Sequence, residues 1–466
     1  MPWLHSQKNT MQRIWLWLLC AMLAGCATPA RLIKPPPPSA GEKPILVGAH
    51  GPLSAERSQA ILARLSQEAG GSDILLRHIR VEEALTQFPL TIGNKVTLLR
   101  DGPATYRAMY EAIHNARDHI NLETYIFRDD QIGRQLADLL IKRQREGIQV
   151  NVIYDSVGSI KTPDEFFDRM RKAGIKVLEF NPVNPTETRK RYVIEHRDHR
   201  KILIVDGRIA FTGGINYDSV YSGGSLSRPK RVSGNGKTPW RDTHVRIEGP
   251  AVAEFQKLFL GTWNKQKGAP LPARSYFPPL GEPGHQIVRV IGSTPDSGVS
   301  IYHATLLSAV KSAEHTIHVT NAYFVPDDAL IEGLKSAAGR SVDVELLLPS
   351  ESDFWAPLYA GRSHYRDLLS AQVQIHELRE AMLHAKTVVI DGVWSTIGST
   401  NLDWRSFLLN DEVDAVILGA DFGQQMEAMF KADIAHSNAI DVAHWRKRGV
   451  GSRFKEMGAR MWEKWL

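Results

Sequence analysis

Only two cysteines occur in the 466 residues, Cys20 and Cys26, both near the N-terminus. The rest of the chain therefore has no disulfide framework and no cysteine-based zinc site. Long apolar runs are also missing: the N-terminal one, Ile14 to Ala24, has eleven residues, whereas crossing a bilayer takes about 20. Charge of one sign is scarce. Lys plus Arg number 57 against 51 Asp plus Glu, a net +6 that suggests an anionic partner without specifying it. With 43% hydrophobic and 23% charged residues, the composition excludes a mostly disordered chain and a multi-span membrane protein. A chain of this length forms two or three domains and can build a core that is stable without disulfides.

The apolar run follows Met11-Gln12-Arg13 and ends Leu23-Ala24-Gly25-Cys26. Its length suits a secretory h-region. Its end resembles the lipobox of bacterial lipoproteins, in which the Cys is acylated and becomes the new N-terminus. Residues 1–26 are thus expected to be a lipoprotein-type signal peptide with Cys26 as the lipidation site, and an uncleaved anchor is the alternative. Either way the body lies outside the cytosol. The expected location is the bacterial cell envelope, as a membrane-anchored lipoprotein facing the periplasm. Residues 27–50 contain Pro35 to Pro38, which favour extended polyproline geometry, and read as a tether.

The second half of the chain echoes the first. Ile120-Asn121-Leu122-Glu123-Thr124-Tyr125-Ile126-Phe127 has its counterpart in Ile317-His318-Val319-Thr320-Asn321-Ala322-Tyr323-Phe324, and each is followed by Asp-Asp and an apolar helical pattern. Val150 to Ile153 then matches Val344 to Leu347, and Ile175 to Val177 matches Val373 to Ile375. Two α/β halves follow, each a mixed sheet flanked by helices, with the active site expected at the interface between them. The expected divisions are a helical segment at 51–94, the first half at 95–267, a Gly/Pro-rich linker at 268–285, the second half at 286–444 and a tail at 445–466.

Each half ends in the same element. The first reads His199-Arg200-Lys201, then Asp206-Gly207 and Gly213-Gly214-Ile215-Asn216. The second reads His384-Ala385-Lys386, then Asp391-Gly392 and Gly398-Ser399-Thr400-Asn401. Asp-Gly between two strand-like runs predicts a hairpin. On the first strand of each hairpin, His and Lys are two residues apart and share a face. On the return side, glycines permit close backbone approach and Asn supplies an amide donor. Two such units facing each other place imidazoles on opposite sides of a phosphodiester and cations on its non-bridging oxygens.

This duplicated HKD pattern resembles the phospholipase D superfamily over roughly residues 95–440. The segments Leu122 to Phe127, Asn321 to Pro326, Trp240 to His244 and Gly398 to Asp403 are similar to those of bacterial cardiolipin synthases. The resemblance implies the phospholipase D fold and displacement at phosphorus through a covalent phosphohistidine, with His199, Lys201, Asp206, His384, Lys386 and Asp391 as the catalytic set. By family analogy His199 is the nucleophile and His384 the acid, an assignment that the sequence leaves reversible. Asn216, Asn401, Gly214 and Ser399 are expected to bind phosphate. Asp206 and Asp391 sit at the turns, so support of the hairpin is expected of them rather than substrate contact. A nucleophilic His needs a carboxylate on its other ring nitrogen, and the candidates following each motif are Asp242 and Glu412.

His196 and Asp198 beside His199 suggest a metal cluster, but alternation puts His196 and His199 on opposite faces. With a family that is metal-independent, no metal and no cofactor are expected. The expected partners are phospholipid substrates, phosphatidylglycerol and also phosphatidylethanolamine, together with a membrane surface. No nucleic acid is expected, and one chain carries both motifs, consistent with a monomer. The expected function is a phosphatidyltransferase, a cardiolipin synthase. Hydrolysis to phosphatidic acid by the same residues is the alternative, followed by a nucleic-acid phosphodiesterase and a non-catalytic scaffold.

Two segments remain. The basic, glycine-rich insertion Gly223 to Lys237 reads as a surface loop or as a lip gathering anionic headgroups. Trp445 to Leu466 holds seven basic and two acidic residues, with Phe454, Met457, Met461, Trp462 and Trp465 at helical spacing. This tail suits a membrane interface or docking on the protein's own body. It carries most of the positive charge, since residues 27–444 have 48 basic and 49 acidic residues.

Overall fold

The computed structural model describes residues 44–68, 74–183, 195–223, 238–298, 300–461 and 463. Cys26 with the expected signal peptide, most of the tether, nearly all of the Gly223 to Lys237 insertion, Trp462 and Trp465 lie outside these residues.

Two similar sheets meet on one strand. In the first half, Lys176–Phe180, Gln149–Asp155 and His119–Thr124 are parallel. Lys201–Val205, Ile209–Gly213 and His244–Glu248 extend that sheet in antiparallel fashion. The second half repeats the order with Gln374–Leu378, Asp343–Pro349, Thr316–Asn321, Lys386–Ile390, Trp394–Gly398 and Asn410–Leu418. The ten-residue strand Leu90–Leu99 joins the two. Its Lys95 to Leu99 pair with His244–Glu248, and its first residues pair with Gln286 to Arg289 of the strand Gln286–Ser293. The division expected at 94/95 therefore falls inside a strand that serves both halves. Ahead of it, the expected helical segment contains two helices, Ala55–Glu68 and Ile74–Leu85, preceded by the short strands Leu46–Gly48 and Gly51–Pro52.

The parallel strands require crossovers, and helices supply them: Gln131–Arg145 and Asp164–Lys172 in one half, Asp328–Gly339 and Trp355–Ser370 in the other. The repeated Asp-Asp pair has a local reason. Asp130 accepts from Gly133 N at 3.0 Å and Asp327 accepts from Leu330 N at 3.1 Å, so each caps the helix that follows. After the first of these helices, Gly147 takes a positive φ, whereas after its counterpart that position belongs to Ser341.

Alternation along the buried strands sorts residues into two cores. Leu203 and Val205 pack with Leu136, Leu140 and Phe167 of the first half's helices. Ile202 and Ile204 join Val245, Val288, Val389, Val413 and Ile417, residues drawn from both halves. The halves are thus held by a shared core that places the ends of their hairpin strands together. Residues 268–285 run over the first half without helix or strand, Ser275 N donating to Asp118 at 3.0 Å. In the tail, the helix Val450–Arg460 docks on Trp355–Ser370, with Ala459 against Ala356 and Ala360.

Candidate active site

The two hairpins form as the turn chemistry requires. Asp206 and Gly207 have φ of 54° and 63°, and Asp391 and Gly392 have 51° and 63°. Such turns match the right-handed twist of the flanking strands. Each Asp also reaches the neighbouring strand. Asp206 accepts from the backbone N–H groups of Arg117, Asp118 and His119 at 2.7–3.0 Å, and Asp391 accepts from those of Glu314, His315 and Thr316 at 2.8–3.0 Å. Both are fully engaged with backbone and stand at the far end of the strand from the motif histidine.

At the near end, short bridges cross between the halves. Arg197–Asp198 pairs in parallel with Asn410 and Asp411, and His199 N donates to Asp411 O at 2.9 Å. Equivalently, Trp240–Arg241 pairs in parallel with Met382–Leu383, and His384 N donates to Arg241 O at 2.8 Å. Each bridge sets the histidine of one half beside the carboxylate of the other. Glu412 lies 3.0 and 3.1 Å from His199 Nδ1, and Asp242 lies 2.7 Å from His384 Nδ1. Both carboxylates are fully buried, while the two imidazoles keep 10% and 8% exposure. A carboxylate on Nδ1 fixes the tautomer and leaves Nε2 for chemistry. The sequence places each carboxylate downstream of its own half's motif; the fold exchanges them.

Lys201 and Lys386 are both buried, and each curls back to donate to the carbonyl oxygen of its own motif histidine. Burial brings Lys201 down to about 7, with Glu412 opposing it and Lys386 adding to it, and burial brings Lys386 down to about 8 against Asp242 and Glu412. Burial, followed by the lysines, holds His384 well below the usual imidazole range. Burial also lowers His199, with Glu412 opposing it. Burial raises Asp242 to about 6 despite Lys386. For Glu412 the balance is reversed: His199, Lys201 and the Ser399 hydroxyl outweigh burial and keep it ionised. Each lysine acts on the other half's histidine, so the two motifs form one electrostatic unit.

The four residues expected on phosphate have these surroundings. Ser399 Oγ donates to Glu412 at 2.5 Å and accepts from Val413 N at 3.0 Å, so it holds the carboxylate. A Cβ on Gly214 would meet the Asp242 carboxylate at 2.2 Å; the glycine makes room for that group. Asn216 accepts from Ile126 N at 3.1 Å and donates to Tyr221 Oη at 3.3 Å. Asn401 is buried with its side-chain oxygen unpaired. His196 sits 3.1 Å from Asp411, in contact with the second half.

Sequence reasoning missed three tyrosines and an acid. Tyr221 Oη is 3.2 Å from His384 Nδ1. The Tyr125 ring lies 4.9 Å from that of His199, and the Tyr323 ring 6.2 Å from that of His384. Tyr323 donates to Asp353, whose charge reaches His384 and Lys386. Tyr125 and Tyr323 stand in the repeated strand-end segments, which was their available signal, whereas Tyr221 and Asp353 had none. Among the described residues one group, His318, Asp343 and Glu345, brings metal-capable atoms within 4.8 Å of one another, and it contains no motif residue.

A family profile described as "Cardiolipin synthase, PLD-like domain" matches residues 109–222 and 306–434, which hold both motifs. The chain belongs to the PLD-like cardiolipin synthase family. Members with curated names include a cardiolipin synthase of Geobacillus kaustophilus, 34% identical over 82% of this chain and 74% of its own length. Another, from Alkalihalophilus pseudofirmus, is 33% identical over 85% of this chain and 76% of its own. The fold is shared with a crystal structure of phosphatidylserine synthase from Haemophilus influenzae, at 14% identity and a TM-score of 0.59, covering 84% of this chain and all of that one. In this PLD-like family member, as the sequence predicts, the two halves form a mixed α/β fold and the protein is a phosphatidyltransferase of the phospholipase D superfamily. No helix among the described residues is long and apolar enough to cross a membrane.

Proposed function

We propose that this family member joins two molecules of phosphatidylglycerol into cardiolipin and glycerol. In the first step His199 Nε2 attacks phosphorus, the bond from phosphorus to the glycerol oxygen breaks, and His384, protonated once the phosphodiester's negative charge offsets the burial and lysine charges that lower it, gives that oxygen its proton. In the second, His384 takes a proton from a hydroxyl of the incoming phosphatidylglycerol, whose oxygen displaces His199. Lys201 and Lys386 hold the non-bridging oxygens as charge builds on them. Two ammoniums that are both lowered by burial gain from a shared anion, because its charge favours the protonated form of each.

The observation that supports this reading best is the exchange of carboxylates: each imidazole is oriented by a buried acid of the opposite half, so neither motif is complete alone. His199 is favoured as nucleophile because Glu412 is ionised and pinned by Ser399, while Asp242 is drawn towards neutrality. The reading extends to location: Cys26 as a lipid anchor in the cell envelope, a body facing the periplasm at the membrane surface, and phosphatidylethanolamine as a second donor. Rapid quenching with radiolabelled phosphatidylglycerol tests the chemistry. Label is expected on the peptide holding His199. Label on His384 reverses the roles, and absence of a covalent adduct in every variant, with product still forming, removes the two-step route.

A further inference from the structure

Among the described residues nine large apolar side chains are prominently exposed, and five of them fall on two packed helices. Phe354 and Trp355 stand at the start of Trp355–Ser370, 48% and 59% exposed; Phe454, Met457 and Met461, on or just past Val450–Arg460, are 63%, 58% and 79% exposed. The helices lie alongside one another. Lys455 Nζ is 5.1 Å from the Tyr359 ring, Ala459 packs on Ala356 and Ala360, and Glu463 is 3.2 Å from His364. They therefore run in the same direction, and Phe454 belongs to the end that carries Trp355.

Charge on the second helix is sorted. Its one acid, Glu456, is 5% exposed and paired with Arg448 at 2.5 Å, while Arg453, Lys455 and Arg460 are exposed. The outward side is thus cationic and apolar at once, which is the composition of a surface that enters the headgroup region of anionic lipid. The patch also adjoins the site. Asp353, the residue before Phe354, accepts from the Tyr323 hydroxyl, and the Tyr323 ring faces His384.

We infer that this face is where the protein rests on an anionic bilayer: the aromatic and methionine side chains enter the boundary between headgroups and acyl chains, and the cations meet lipid phosphates. Docking there brings Asp353, and with it the Tyr323 side of His384, towards the lipid, so a substrate reaches His384 without leaving the membrane plane. The inference rests on the reading above that the substrates are membrane phospholipids.

Two measurements on the full-length protein test it. The first is peroxide oxidation of Met457 and Met461, followed by peptide mass spectrometry with phosphatidylglycerol vesicles, with phosphatidylcholine vesicles and with none. Oxidation at both residues is expected to slow at least ~5-fold on phosphatidylglycerol, since burial protects a thioether. An unchanged rate overturns the inference, as does protection that appears without vesicles and grows with protein concentration, which would mark a contact between copies. Equal slowing on phosphatidylcholine overturns the anionic preference. The second is turnover by the triple variant Trp355→Ser, Phe454→Ser, Met457→Ser. Its rate on phosphatidylglycerol in vesicles is expected to fall at least ~10-fold, with its rate on dihexanoyl phosphatidylglycerol below the micelle concentration unchanged. Equal losses on both forms indicate a structural role and overturn it. Failure of the unaltered protein to turn over either form would sink the proposed chemistry instead, while methionine protection would still report docking.

Discussion

Glu412→Gln isolates the exchange of carboxylates. The side chain is fully buried and lies 3.0 and 3.1 Å from His199 Nδ1, with Ser399 and Asn410 on its oxygens. Gln keeps the shape and removes the charge that stabilises the imidazolium formed as phosphorus is attacked. Leaving one member of a buried charge pair uncompensated costs about 3–5 kcal/mol. At about 1.4 kcal/mol per decade, the first step slows by roughly 10²–10⁴-fold. Single-turnover labelling with phosphatidylglycerol measures that step directly. Selective ¹⁵N labelling of histidine gives the complementary readout. Burial already lowers His199 and Glu412 opposes it, so its titration moves further down in Glu412→Gln, while Asp242→Asn leaves it in place. A rate within about fivefold of the unaltered protein refutes the reasoning, because a buried partner of this kind is worth far more. So does a shift of His199 in Asp242→Asn instead, which would mean that carboxylates serve their own half.

Further outcomes follow from the same geometry. On its alkaline side kcat/KM, which reports the free enzyme, should fall first as His384, held below the usual imidazole range, loses its proton, and should steepen between pH about 7 and 8, because Lys201 and Lys386 lose their protons there and the phosphate loses its cations. A limb near the ordinary lysine value of about 10.4 would contradict the burial argument. Gly214→Ala should cost at least ~100-fold in kcat with the fold intact by circular dichroism, since its Cβ would meet the Asp242 carboxylate at 2.2 Å; near-normal turnover would show that Asp242 has room to move. Asp206→Ala removes three backbone hydrogen bonds and should destabilise the protein by about 2–4 kcal/mol in thermal unfolding. Its folded fraction should retain turnover, and loss of activity at unchanged stability would place Asp206 on substrate instead.

What the sequence revealed was local. Asp-Gly turns, Asp caps and the His-x-Lys spacing depend on a few neighbouring residues, so their meaning can be read without the fold. The repeat adds that two such units share one site. What stayed hidden depends on contacts far apart in sequence. The bridges of Asp198 with Asp411 and of Arg241 with Leu383 decide which acid serves which histidine, and they form only when the shared core brings the halves together. The contacts of Ser399 and Gly214 stayed hidden for the same reason: they are made with Glu412 and Asp242, on other segments of the fold. Leu90–Leu99 hides a similar fact, since the ten residues of that strand do not say that its two ends pair with different sheets.

The central claim, transfer of a phosphatidyl group between lipids by one site built from both halves, is tested most directly by product analysis. Purified protein is incubated with phosphatidylglycerol vesicles and the lipids are resolved by mass spectrometry, beside His199→Ala and His384→Ala. The account predicts cardiolipin and glycerol in equal amounts, both abolished in each variant. Phosphatidic acid without cardiolipin would make water the acceptor, and cardiolipin that persists in either histidine variant would contradict the account.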